Sequence, residues 1–360
     1  MRILLLIITF LHGLIHFMGF AKAYNWGNMA QFTKEISRPL GILWLMTALL
    51  FLVTATGMFF KKDWWPMLGI VAVVLSQGLI FTMWADAKYG TIANAIILCM
   101  AILGQCNLAF EGNYKKDVES AMKAVAPINE ILSKEDLAPL PVCVQKYLEN
   151  AGVVGKPKVY NMKIVFKGEM RDKDKDWFHF TSEQYNFMAS PQRLFFMKAK
   201  VMGLPTNGYH KYTDQSASMH IKLLSLFSVV DLDEPELYPT ETVTFFNDIC
   251  LFAPAALIDK RITWVNLDAL SAKATFNNNG TSITAILYFN EKGQLVNFIS
   301  NDRYSVSEMK AFPFSTPVSN YKNINGYKLP TYGEAIWHYP DGEFVYGKFR
   351  VVDIVYNVSE

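Results

Sequence analysis

The sequence predicts a chain in two parts. An α-helical membrane bundle of four transmembrane helices comes first, then an α+β soluble domain built on one large curved antiparallel sheet with a few packed helices. Three observations predict this. Four apolar runs fill the first third, the apolar period falls from near four to two after residue 158, and turn signals separate the period-two runs that follow. At 360 residues the chain is long enough for two units, each with its own core.

The expected boundaries are 1–110 for the bundle, 111–135 for a helical connector and 136–360 for the β-rich domain. The apolar runs cover 3–20, 40–60, 67–84 and 91–110. Each is close to the ~20 residues that a helix needs to cross ~30 Å of hydrocarbon. Trp26, Trp44, Trp64, Trp65, Trp84 and Tyr89 gather toward their ends, where interfacial rings are favoured. The first run has some marks of an export signal, with Arg2 ahead of it and Ala21-Lys22-Ala23 behind. His12, Gly13 and His16 interrupt it, and it exceeds the ~7–15 apolar residues of such signals, so a retained helix is expected.

Charge follows the same division. Residues 1–110 carry seven Lys/Arg and three acids, and the rest carries 27 basic and 29 acidic residues. The second part therefore has no basic excess, which argues against a nucleic-acid partner. Arg2, Lys61, Lys62, Lys115, Lys116 and Lys123 on one side outnumber Lys22, Lys34, Arg38 and Lys88 on the other. The count weakly favours a cytoplasmic second part of a multi-pass cell-membrane protein, and leaves the side undetermined. The four cysteines form no CxxC or Cys/His cluster, so neither a metal nor another cofactor is expected, and pairing of Cys143 with Cys250 stays open.

Val118, Ala121, Met122, Val125 and Ile128 recur at helical spacing, and Pro127 should break that connector. Ser133 and Asp136 resemble a capping pair, and Val142, Val144, Tyr147 and Leu148 a short helix stopped at Gly152. Next, Tyr160, Met162, Ile164 and Phe166 alternate with Asn161, Lys163, Val165 and Lys167, the pattern of a half-buried strand. Alternation returns at 177–184, 194–202, 208–214, 218–223, 271–276, 282–289, 294–300, 333–339 and 344–355. "NNNG", "NEKG" and "PDG" mark turns, and "PTETVTFFNDICLFAPAAL" interrupts the strands with one or two helices. A sheet of about ten strands tends to curl or close, which gives a concave interior.

"LPVCVQKYLENAG", "PTETVTFFNDICLFAPAAL" with "ITWVNLD", "LYFNEKGQLVNFISNDRY", "INGYKLPTYGEAIWHYPDG" and "VVDIVYN" resemble, in order, an uncharacterised bacterial family of membrane-anchored proteins, over about 136–357. The stretch "HGLIHFMGFAKAY…ISRPLGILWL…WADAKYGTIAN" looks like the four-helix segment that some members carry. The second part is similar to the half-barrels of lipoprotein carriers of the LolA and LppX kind. That resemblance implies a sheet wrapped around acyl chains, and it implies no reaction. The four spans, in place of an export signal or lipid anchor, depart from those carriers.

Candidate sites are three. His12 and His16 share a helix face inside the first span, with Asp86 and Asn94 as expected partners of a membrane polar site. Two histidines without a third ligand do not make a metal site. Trp177, Trp264, Trp337 and Phe196 are the expected ligand-lining aromatics. Glu241 and Asp248 stand seven apart on one face of the interrupting helix, with Asn247 beside them, and Arg303 is expected to pair with one carboxylate. A structural ion pair is the simplest reading of that cluster, and acid–base catalysis the sharper one. His179, His210, His220 and His338 read as surface or core residues, and no GxSxG, P-loop, GxGxxG or HExxH occurs.

The expectation is a non-enzymatic, membrane-tethered protein whose β-rich domain binds a lipid or other apolar ligand, with membrane lipids as neighbours. The rivals are a lipid-modifying or hydrolytic enzyme using Glu241, Asp248 and Arg303, and a scaffold for a protein partner whose identity the sequence leaves open.

Overall fold

The computed structural model describes residues 2–29, 31–126, 130–233, 235–305, 308 and 310–359. The chain divides into two compact units, 1–111 and 112–360.

The first unit holds α1 (Arg2–Ala23), α2 (Arg38–Phe59), α3 (Trp65–Thr82), the single turn α4 (Trp84–Ala87) and most of α5 (Gly90–Ala124). Four of these, α1, α2, α3 and α5, are long and apolar enough to cross a membrane. Pro39 and Pro66 lie in the first turns of α2 and α3, where a missing N–H costs nothing. Glycines let α1 approach α2. A Cβ on Gly13 would stand 2.9 Å from the Phe51 Cβ, and one on Gly19 would enter the Trp44 ring. Large apolar side chains face outward, with Ile3 76% and Phe81 65% exposed. Such a surface suits hydrocarbon and not water. No helix end falls at residue 110: α5 runs 35 residues, because no proline lies between Gly90 and Pro127. Pro127 and Ile128 lie outside the described residues.

In the second unit the Asp136 carboxylate accepts bonds from the Ser133 N–H (2.8 Å) and hydroxyl (2.9 Å), ahead of a 3₁₀ turn at Glu135–Leu137. The helix α6 (Val142–Ala151) ends on Gly152 at φ +75°, a left-handed cap that glycine takes without strain. The strands are β1 (Asn161–Met170), β2 (Phe178–Phe187), β3 (Gln192–Val201), β4 (Leu204–Tyr212), β5 (Ala217–Leu223) and β6 (Phe227–Leu232). After α7 (Leu237–Phe252) come β7 (Ile262–Asn266), β8 (Ser271–Asn278), β9 (Thr281–Phe289), β10 (Leu295–Ser300) and the short β11 (Tyr304–Ser305), β12 (Lys310–Ala311) and β13 (Phe314–Ser315). The last are β14 (Val318–Ile324), β15 (Tyr327–Tyr339) and β16 (Gly342–Tyr356).

Fourteen strands form one curled antiparallel sheet, in the order β6-β5-β4-β3-β2-β1-β16-β15-β13-β10-β9-β8-β7, with β14 on β15. Each neighbour in the β1–β6 arm is joined by a hairpin. The closing "VVDIVYN" brings β16 back beside β1, with Ile164 opposite Ile354. Among the described residues the arms end at β6 and β7 without pairing to each other, so the sheet is a half-barrel. The sheet exceeds the ten strands expected, because short or polar strands such as β13 and β14 carry too few apolar positions to show a period. β4 begins at Leu204, four residues before its expected start, since Met202 (φ +50°) and Gly203 (φ +79°) make a tight two-residue turn.

The interrupting segment becomes α7 and a 3₁₀ turn at Pro254–Leu257. Most of the apolar residues of α7 and most of its polar ones are buried. α7 lies within the curl, in contact with β4 and β5 of one arm and β9 and β10 of the other. Phe246 stacks on Phe276 at 5.2 Å, and the Tyr147 hydroxyl of α6 donates to the Cys250 carbonyl at 2.7 Å. The convex face is covered in part by the end of α5, where Tyr114 stacks on Phe196 (5.2 Å) and Asp117 accepts from Tyr209 (2.7 Å). All four cysteines are free.

Candidate functional site

Within the first unit, His12 and His16 meet α3 and α5. His12 Nε2 lies 2.9 Å from Asn94 Oδ1, and His16 Nε2 lies 2.9 Å from Ser76 Oγ. His16 Nδ1 faces the backbone carbonyl of His12 at 2.8 Å, so that nitrogen carries the proton and Nε2 accepts from Ser76. Asn94 is the partner expected, but Asp86 is not part of this site. Its carboxylate accepts from the Thr33 N–H (2.9 Å) and hydroxyl (3.0 Å).

In the second unit a half-open cavity of about 530 Å³ lies between α7 and the concave face of the sheet. One stripe of α7 forms one wall: Leu237, Thr240, Glu241, Thr244, Asn247, Asp248 and Leu251 all line it. Their steps of three and four residues put them on a single helix face. The opposite face, with Val243, Phe245, Phe246, Ile249 and Cys250, is buried in the core. Alternate residues of the strands supply the other walls, among them Phe166, Phe195, Met197, Ile221, Phe349 and Val351.

The floor is charged. Arg193 on β3 spends each guanidinium nitrogen: Nε on Asp248 (2.8 Å), Nη1 on Glu241 (3.2 Å) and Nη2 on Gln184 (3.1 Å). Gln184 and Asn186 of β2 also donate to Asp248, at 2.7 and 3.4 Å. His210 Nδ1 stands 3.5 Å from Glu241. Burial alone would push Glu241 up, but the His210 hydrogen bond and the Arg193 charge hold its carboxyl down to about 2. Burial pushes the Asp248 carboxyl above its ordinary range, and Arg193 offsets this only in part. For Arg193 itself burial would lower the value, but the two carboxylates outweigh it and raise it.

The cation expected beside Glu241 and Asp248 was Arg303; the structure puts Arg193 there instead. Arg303 lines the same cavity, but its Nη1 donates to the Tyr346 hydroxyl (2.8 Å), and its guanidinium lies 3.9 Å from the Phe314 ring centre. Its neighbour Asp302 is held by the Thr284 N–H (2.6 Å) and hydroxyl.

Of the four aromatics expected to line the cavity, Trp337 does so. Phe196 points to the convex face, since the strand's period of two sends Phe195 and Met197 inward in its place. Trp177 is packed between Arg171 (4.5 Å) and Lys348 (4.4 Å), while the next residue, Phe178, lines the cavity. Trp264 packs against the main core, outside the lining. Sequence reasoning missed Arg193 and Gln184, and took His210 for an ordinary histidine. Among the described residues, no group of three His, Cys, Asp or Glu is placed to hold a metal ion.

Residues 130–349 match a family of unknown function, DUF6544, and the chain belongs to that family. No curated protein matches the chain. Among solved structures it is similar to a LolA superfamily protein from Nitrosomonas europaea, at 10% identity and a TM-score of 0.35, over 61% of this chain and 96% of that one.

Proposed function

We propose that this member of a family of unknown function is a membrane-tethered binding protein that holds a lipid or another apolar ligand in the groove beneath α7. The observation that carries the reading is the groove itself, about 530 Å³ with mostly apolar walls. Its size falls among those of small-molecule sites, roughly 300–1,000 Å³. An apolar concavity of this size gains little from water, and an acyl chain would bury apolar area at about 25 cal/mol per Å². The four apolar helices supply the tether. Binding is favoured over turnover because Glu241 and Asp248 are already engaged by Arg193 and brace α7 against β2 and β3.

Lipid extraction and mass spectrometry of the purified full chain test the reading. A stoichiometric lipid is expected with the native chain. Thr244→Trp, which fills the groove from a half-exposed position on α7, should cut the retained lipid roughly tenfold. Equal lipid in both proteins, or none in either, contradicts the reading.

A further inference from the structure

Three arginines line the groove, and they differ in how they are satisfied. Arg171 donates its Nε to the Val345 carbonyl at 3.0 Å. Arg193 has an acceptor at Nε, Nη1 and Nη2. Arg303 has one, the Tyr346 hydroxyl at Nη1. Its Nε is buried without a partner, and no described carboxylate stands within ion-pair distance of it. Glu241 is near enough for its carboxyl to feel the Arg303 charge, but its oxygens are taken by Arg193 (3.2 Å) and His210 (3.5 Å). Glu334, also in the lining, is engaged by the Tyr332 hydroxyl at 2.6 Å.

The surroundings of Arg303 hold it flat. Phe314 lies under the guanidinium at 3.9 Å, with Trp337 at 5.0 Å and Tyr346 at 5.7 Å. These rings fix the plane and supply no acceptor other than the Tyr346 hydroxyl. With Nη1 committed to Tyr346, the Nε–Nη2 edge remains. That edge carries two parallel N–H groups, the fork that a carboxylate or a phosphate takes in bidentate fashion. A buried cationic N–H without an acceptor is unfavourable, and an anion arriving with the ligand would remove that penalty.

Resting on the groove reading, we propose that the ligand is an anionic amphiphile whose carboxylate or phosphate head seats on the Nε–Nη2 edge of Arg303. Its tail lies along the apolar wall formed by Phe166, Phe195, Met197 and Phe349. Arg303 is thus the head-group residue, and Arg193 is the structural one.

The test uses the full chain in amphipol and equilibrium dialysis against three ten-carbon probes: labelled decanoate, decyl phosphate and decanol. At least one anionic probe should bind about tenfold or more tighter than decanol, as hydrogen bonds to a charged group allow. Whichever anion binds tighter tells a fatty-acid head from a phosphate head. In Arg303→Leu the ratio to decanol should fall to about one, and Arg303→Lys, with charge but no fork, should keep part of it. Equal binding of decanol and both anions by the native chain overturns the head-group assignment and leaves the groove reading standing. Failure of all three probes overturns the groove reading as well. The native-chain comparison needs no variant, so a poorly folded Arg303→Leu does not blunt it.

Discussion

Two polar networks lie buried in apolar surroundings, and they are built from opposite chemistry. Between α1, α3 and α5, His12, His16, Ser76, Asn94 and Gln77 form a network whose protons can all be assigned without an ion. Asn94 Nδ2 donates to Ser76 and to Gln77, Ser76 to His16, and His12 to Asn94. Under α7, by contrast, one guanidinium faces two carboxylates, and all three groups are under 8% exposed. The difference follows from what surrounds each one. Side chains enclosed in a bundle with an apolar outer face do best with neutral hydrogen bonds, since an ion there has no water to relax toward. In the β-rich unit a charge is tolerated because its partners saturate it, and removing one partner strands the rest. Removing one partner from the ionic network is therefore expected to cost more than removing one from the neutral network.

The contrast can be broken at Arg193 first. Arg193→Met leaves Glu241 and Asp248 buried without their cation and should cost about 3–5 kcal/mol. Hydrogen exchange of the α7 amides is the readout, and little change there would mean that the network is dispensable. The next largest effect is one of pH. Glu241 is held at about 2 against an ordinary 4.5, so its contribution is complete above about pH 4.5 and is lost as pH falls toward 2. It amounts to about 3 kcal/mol. Asp248, shifted upward, works in the opposite sense: its contribution is present below the ordinary carboxylate value and fades as pH rises through its folded one. Glu241→Gln should therefore flatten the acid limb of a stability–pH profile, and an unchanged limb would assign acid sensitivity elsewhere. The smallest effect belongs to the bundle. Ser76→Ala removes the donor to His16 and an acceptor of Asn94, at a cost of about 0.5–1.5 kcal/mol in membrane unfolding measurements. A cost equal to that of Arg193→Met would erase the distinction.

How much of this was legible depends on parity. Where polar and apolar residues alternate cleanly, as in "NMKIVFKG", the sequence shows both the strand and its inner face. In "QRLFFMKAK" both parities are apolar from 194 to 197, and the choice of Phe196 as a lining residue went the wrong way. The deciding signal was present: Lys198 and Lys200 share the parity of Phe196, so that face is the outer one. The same parity places Arg193 in phase with Phe195 and Met197, facing inward. A search for apolar alternation starts the strand after Arg193 and so passes over the residue that organises the floor. The carboxylates were legible because seven residues make two helical turns whatever the tertiary context. Their cation was not, since β3 reaches α7 only through the curl of the sheet. Asp86 failed for a related reason: nearness to the apolar run says nothing about which way a single turn such as α4 faces.

The central claim is that a ligand occupies the groove, and adjacent residues on β2 and just before it test it most directly. Phe178 lines the cavity, and Trp177 beside it is outside the lining, packed between Arg171 and Lys348. Benzoylphenylalanine placed at each position of the full chain and illuminated in intact membranes reports what each side chain touches. A lipid-mass adduct from position 178, with little or none from 177, is the predicted result. Equal adducts at both positions, or none at 178, would contradict a ligand in the groove.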